Sequence, residues 1–225
     1  MACTCTGRDI AEVKLLLATK TVSIPDIQEA LSCGIGLVGE NKVQELAAKQ
    51  PLLKQEGASF HFIGHLQTNK VKDVLKYADC IQSVDRLDLA KKLHERLCFE
   101  NRTMDIMLQV NTSAEATKFG VHPGALADFA KQVAVFDTLK VKGLMTIGLF
   151  DAEQARVRNC FRTLRVLKER LQQYNLPGFD MQELSMGMSN DLETAIDEGA
   201  TIIRVGTAIF GKRIYPDSYY WNEQQ

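Results

Sequence analysis

Short apolar runs alternate with amphipathic stretches along the whole chain. Residues 13–19 are apolar except for Lys14 and Thr19, the pattern of a strand buried on both faces. Ser23 then offers an N-cap and Pro25 suits a first helical turn, so a helix is predicted to about Cys33, ending at Gly34. The same rhythm predicts strands over 37–39, 60–64, 80–84, 104–110, 141–147, 182–186 and 201–205. Helices are predicted over 43–50, 69–77, 86–99, 124–135, 151–174 and 192–198, with a last helical turn over 207–210. Eight strand–helix units follow one another with no linker or low-complexity stretch between them. Such an alternation implies a parallel sheet with right-handed crossovers. An open doubly wound sheet and a closed barrel both satisfy it. Eight units in 225 residues suit the compact end of the barrel range, so the expectation is an α/β fold, a single (β/α)8 TIM barrel spanning 1–225 as one domain.

Composition narrows the class without changing that picture. The chain is 45% hydrophobic and 24% charged, with a formal net charge of −1 and basic residues spread along its length. A nucleic-acid binder would show a basic bias or a basic face, so nucleic acid is not an expected partner. No apolar run is long enough for a membrane span; residues 202–210 are interrupted by Arg204 and a glycine. The amino terminus lacks the charged start and apolar stretch of a secretory signal, and the six cysteines form no Cys-x-x-Cys pair. The expectation is a cytoplasmic protein with reduced thiols.

Active sites of such barrels lie at the carboxyl ends of the strands. Polar residues gather at those ends here: Lys20 after strand one, Glu40 and Asn41 after strand two, and Gly64, His65 and Gln67 after strand three. Ser83 and Asp85 end strand four, Asn111 ends strand five, and Met145 and Thr146 lie near the end of strand six. Residues 185–190 follow strand seven and residues 204–207 close strand eight. Lys20 has two readings. Its stem can lie along the apolar wall with the amine in water. Alternatively, an amine in an apolar barrel mouth loses hydration, its neutral form is favoured, and it can condense with an aldehyde as a Schiff-base lysine. Gly206 and Thr207 start a helix after strand eight, where barrels commonly hold phosphate, and Ser189 supplies a matching hydroxyl after strand seven. A plain helix cap is the simpler account of the same residues. Arg204 lies in an apolar strand, so it needs either an internal ion-pair partner or a ligand atom to receive its hydrogen bonds.

Other patterns carry less. Residues 34–39 fit G-x-G-x-x-G, but they follow a helix and lead into a strand, the reverse of a dinucleotide-binding turn. His61 and His65 are four apart on a strand and its exit, without the further ligands a metal site needs, so no metal is expected.

Several segments occur in an order that closely resembles one family. They are Leu17-Ala18-Thr19-Lys20-Thr21, Gly39-Glu40-Asn41-Lys42-Val43-Gln44-Glu45 and His61-Phe62-Ile63-Gly64-His65-Leu66-Gln67-Thr68-Asn69-Lys70. Ser83-Val84-Asp85-Arg86, Gln109-Val110-Asn111, Lys118-Phe119-Gly120 and Gly143-Leu144-Met145-Thr146-Ile147 follow, then residues 184–192 and 205–211. Over residues 13–215 the chain resembles the pyridoxal phosphate homeostasis proteins. The resemblance implies a barrel like the amino-terminal domain of alanine racemase, with pyridoxal 5′-phosphate (PLP) as a Schiff base on Lys20. It implies Arg204 near the pyridine nitrogen, Ser189, Gly206 and Thr207 at the phosphate, and Asn41, Ser83 and Met186 lining the cofactor. It further implies a protein that buffers or delivers PLP, with PLP-dependent apo-enzymes as receiving partners and no catalytic turnover. The chain departs from the family in having only about a dozen residues before strand one, in Thr19 where a serine is usual, and in Val22-Ser23 in place of a Lys/Arg-Pro-like pair. The short start leaves the covering of the barrel's bottom open.

Two other functions fit a Schiff-base lysine. A racemase needs acid–base groups on both faces of a carbanion. In alanine racemase one of these is a tyrosine from a separate β domain, for which a chain ending at Gln225 has no room. An aldolase would use the lysine directly on a carbonyl substrate and hold no cofactor. Without a second domain, a monomer is expected.

Overall fold

The computed structural model describes residue 3 and residues 6–115, 117–149 and 153–211. Eight parallel strands close a barrel in the order of the sequence. They are β1 (Lys14–Ala18), β2 (Leu37–Glu40), β3 (Ser59–Phe62), β4 (Cys80–Val84), β5 (Met104–Gln109), β6 (Leu139–Met145), β7 (Phe179–Ser185) and β8 (Ile202–Val205). Closure is made by β1 against β8, with Leu16 opposite Arg204 and Leu17 opposite Val205. Among the described residues, eight α-helices follow the strands: α1 (Ile24–Ser32), α2 (Val43–Leu53), α3 (Val71–Tyr77), α4 (Leu87–Glu100), α5 (Leu126–Val133), α6 (Gln154–Gln172), α7 (Leu192–Asp197) and α8 (Thr207–Phe210). The expected (β/α)8 barrel is the fold.

Local chemistry explains the element ends. The Ser23 hydroxyl accepts from the Asp26 N–H and Pro25 sits in the first turn of α1, as the sequence predicts. Along α4, Leu89, Ala90, Leu93 and Leu97 form one buried stripe, and Asn101 ends the helix with φ at 50°.

Two apolar layers result. Phe60, Phe62, Ile81 and Leu108 point outward from the strands and pack with helix residues such as Leu46, Leu75, Leu93 and Phe161. A smaller cluster of Leu16, Cys80, Met107, Met145 and Ile202 fills the barrel itself. Gly143 lets β6 and β7 approach: a Cβ there would stand 1.9 Å from the Glu183 carbonyl oxygen.

Two strand starts differ from the periodicity by more than one residue, and β3 and β6 end two residues earlier than the expected 64 and 147. β6 begins at Leu139 and β7 at Phe179, earlier than the expected 141 and 182. The early parts of these strands carry Lys140, Lys142, Asp180 and Gln182, whose charge and polarity hide the strand pattern where the barrel opens to water. The predicted start of the sixth helix at Asp151 lies outside the described residues. Among the described residues, no helix is long and apolar enough to cross a membrane.

Candidate functional site

Because all strands run the same way, the exits of β1, β2, β7 and β8 meet at one rim. Lys20 stands two residues beyond β1 and is 7% exposed. The backbone around it is tightly held. Thr21 has φ at 63°, a left-handed conformation rare for a β-branched residue. Its N–H donates to Glu45 Oε2 at 2.8 Å, and its hydroxyl donates to the Lys20 carbonyl at 2.6 Å. On the other side of Lys20, the Thr19 carbonyl accepts from Lys49 Nζ at 2.7 Å. Lys49 also meets Glu40 Oε1 at 2.7 Å and Glu45 Oε2 at 2.9 Å, while the Thr19 hydroxyl donates to Glu40 Oε1 at 2.6 Å. Glu40 is fully buried; burial raises its pKa and the Lys49 ammonium opposes that rise. The exit of β1 is thus clamped by a buried charge cluster borne on β2 and α2.

At the β8 side, Gly206 precedes α8 and lies against β1, where a Cβ would come within 3.0 Å of the Ala18 carbonyl oxygen. The Ser189 and Thr207 hydroxyls are 3.2 Å apart, and the Ala208 N–H points to Ser189 Oγ at 3.4 Å. Two hydroxyls and the opening N–H groups of a helical turn therefore converge on one spot. Asp191 holds the preceding loop by accepting from the Met188 N–H at 2.5 Å. Burial raises the Asp191 pKa, while that hydrogen bond and the nearby Arg204 charge lower it.

Arg204 points into the barrel and is 5% exposed. Its Nη1 donates to Ser185 Oγ at 2.8 Å and its Nη2 to the Thr146 carbonyl at 2.7 Å. Burial pulls its pKa down to about 10, with Asp191 opposing, so it stays a cation at neutral pH. Among the described residues no hydrogen bond engages its Nε. Ser83 is fully buried, and among the described residues its hydroxyl has no hydrogen-bond partner. Met186 is fully buried beyond β7, and Asn41 is half-buried directly after β2.

All eight residues singled out from sequence (Lys20, Asn41, Ser83, Met186, Ser189, Arg204, Gly206 and Thr207) belong to this end of the barrel or its upper interior. Direct contact joins Ser189 to Thr207. Sequence reasoning placed Thr146 and Ser185 at strand exits and Glu45 in a motif without giving them partners, and it passed over Lys49. Lys49 had a signal: it falls on the same helical stripe as Val43, Leu46 and Leu53, where a lysine must be paired. At the opposite end of the barrel, a cavity of about 710 Å³ is lined by Lys14, Ser59, His61, Asp105, Lys142 and Asp180, among others.

The fold and this rim define a barrel of the alanine racemase amino-terminal-domain type, and the model of that domain family matches residues 8–214. A pyridoxal phosphate homeostasis protein of Aquifex aeolicus is 43% identical over 215 residues, covering 95% of this chain and 93% of the relative. The structure of PipY from Synechococcus elongatus PCC7942 with PLP bound is 33% identical, with a TM-score of 0.83 over 92% of this chain and 97% of that one. Alanine racemase of Clostridium difficile is similar in fold alone, with a TM-score of 0.72 at 12% identity, and this chain covers 54% of its length. The chain belongs to the pyridoxal phosphate homeostasis protein family.

Proposed function

We propose that this protein holds PLP as a Schiff base on Lys20 and buffers or delivers it inside the cell, without catalytic turnover. The observation that carries the reading is Arg204. It is an arginine fixed in the barrel interior with both Nη groups engaged and Nε left to donate, on the same end of the barrel as a buried lysine. The remaining residues fit the group as well. PLP supplies an aldehyde that condenses with an amine, a pyridine nitrogen that accepts a hydrogen bond, and a phosphate dianion. Ser189 and Thr207 present hydroxyls for the phosphate, and Gly206 lets the chain turn there without a side chain. Ser83 keeps a buried hydroxyl in need of a partner, while Asn41 and Met186 line the same mouth.

The binding of PLP by PipY and the name shared by the curated relatives support the cofactor and the homeostatic role. Arg204 also favours carriage over chemistry. As an obligate donor it does not hand a proton to the pyridine nitrogen, which leaves the ring a weaker electron sink. We extend the reading to one domain over 1–225, acting as a cytoplasmic monomer, with PLP-dependent apo-enzymes as acceptors. The fold-level likeness to alanine racemase keeps an amino-acid racemase as the second reading.

The test is to incubate PLP-loaded protein with L-alanine and, separately, with an apo-transaminase. A carrier restores the transaminase and leaves the alanine unchanged. Formation of D-alanine at enzymatic rates would replace the carrier with a racemase.

A further inference from the structure

Arg204 is the upper end of a chain of hydrogen bonds that descends through the barrel. Its Nη1 donates to Ser185 Oγ at 2.8 Å. The Ser185 hydroxyl donates to Gln82 Oε1 at 2.6 Å. Gln82 Nε2 lies 2.7 Å from His61 Nδ1, and His61 lines the cavity at the far end. Ser185 and Gln82 are both fully buried.

The direction of this chain follows from its chemistry. A guanidinium can only donate, so Ser185 Oγ must accept from Arg204. The serine proton then needs another acceptor, and among the described residues Gln82 Oε1 is the one within reach. Turning the Gln82 amide over would aim two donors at Ser185 Oγ and leave the serine proton without an acceptor, an expensive arrangement for fully buried groups. With Gln82 Oε1 committed to the serine, its Nε2 faces His61 and can only donate. His61 Nδ1 must therefore be unprotonated and the ring proton must sit on Nε2. Burial independently keeps His61 neutral, pulling its pKa down to about 4 against the raising effect of Asp79 and Glu183.

We propose that Ser185, Gln82 and His61 are positioning residues for the PLP site: one polarised chain, with its sense dictated by Arg204, that fixes the guanidinium under the cofactor ring and ties the His61 tautomer to it. This rests on the PLP reading above. Neither Gln82 nor His61 lies at the rim; they act through Arg204.

Two measurements on wild type, Ser185→Ala, Gln82→Met and the double variant test it, with Ile106→Val as a control for disturbing an equally buried strand position. The first uses cofactor-free protein and nitrogen NMR of the histidine rings. In the wild type His61 should show a bare Nδ1 and a protonated Nε2. In Gln82→Met and Ser185→Ala that preference should weaken, and in Ile106→Val it should persist. The second follows PLP affinity and the position of the visible Schiff-base band. Each single variant should shift the band and lose about two- to tenfold in affinity, the range for one hydrogen bond. The double variant should be no worse than the weaker single, because either cut severs the same chain.

A wild-type His61 protonated on Nδ1 would overturn the proposal. So would fully additive losses, or variants that move the band and the affinity no more than Ile106→Val does. A wild type that forms no band with PLP would sink the cofactor reading and, with it, the positioning role. The tautomer result on the cofactor-free protein separates the two failures. The expected tautomer without a band means that the PLP reading failed and the hydrogen-bonded chain stands. The opposite tautomer with a band means that the hydrogen-bonded chain failed and the PLP reading stands.

Discussion

Removing the Lys49 ammonium should expose how the lysine-bearing turn is held. In Lys49→Met the chain keeps a stem of similar length but loses the donor to the Thr19 carbonyl, to Glu40 and to Glu45. The Glu45 arm is partly solvated and contributes little. Glu40 is fully buried, so its charge is left without a cation, although the Thr19 hydroxyl still donates to it. Stripping one partner from a buried pair costs about 3–5 kcal/mol, and the surviving hydroxyl places this case near about 3 kcal/mol. For a protein of this size that corresponds to a fall in Tm of roughly 6–12 °C. The loss should also depend on pH. Burial raises the Glu40 pKa in the fold, so its ionisation works against the native state as pH climbs from the ordinary carboxylate range through that raised value. Lys49 offsets this in the wild type. The penalty of Lys49→Met should therefore be smallest near about pH 5, grow towards about pH 8, and shrink again when Glu40→Gln is added. Urea unfolding of wild type, Lys49→Met, Glu40→Gln and the double variant at both pH values measures this. A loss below about 1 kcal/mol, or one that neither follows pH nor responds to Glu40→Gln, would refute the clamp.

Three further outcomes follow from other parts of the molecule. Glu198 receives Arg158, Arg162 and Arg165 from α6; burial alone would raise its pKa, but the three arginines bring it below the ordinary value. Glu198→Gln should cost about 1 kcal/mol at neutral pH, since the arginines are partly solvated, and unfolding curves of variant and wild type should converge as pH falls through the depressed value. Gly143→Ala should lose about 3 kcal/mol or more, or fail to give soluble barrel, because its Cβ would collide with the Glu183 carbonyl; a Tm within a few degrees of wild type would contradict that geometry. Ser189→Ala combined with Thr207→Ala should weaken PLP retention in dialysis about tenfold or more with unfolding unchanged, and equal retention would remove these hydroxyls from the phosphate site.

The eight strand–helix units were legible because both periods are strong where the chain is apolar: the outward residues of every strand meet one stripe of each helix. The pattern weakened where the strand starts open to water. β6 and β7 start among Lys140, Lys142, Asp180 and Gln182, charged and polar side chains at the open lower end of the barrel that an apolar pattern cannot register. At the rim, residue type and position were enough to single out Lys20, Arg204, Ser189 and Thr207, since strand exits in a parallel barrel all face one way. What supports them was harder to see. Lys49 belongs to a helix and reads as surface until its place on the buried stripe is noticed. Ser185, Gln82 and His61 come from three separate strands, and only the barrel's closure, with a common interior for all of them, brings them into line. Thr146 was placed at the rim by its position, but it meets Arg204 through its backbone carbonyl, a contact no side-chain reading could foresee.

The central claim is a covalent bond between Lys20 and PLP. The direct measurement is to mix the protein with PLP, reduce with borohydride, digest, and map the labelled peptide by mass spectrometry, with Lys20→Ala alongside. The account predicts one dominant adduct on Lys20 and its loss in the variant. An adduct spread over surface lysines, or undiminished in Lys20→Ala, would contradict it.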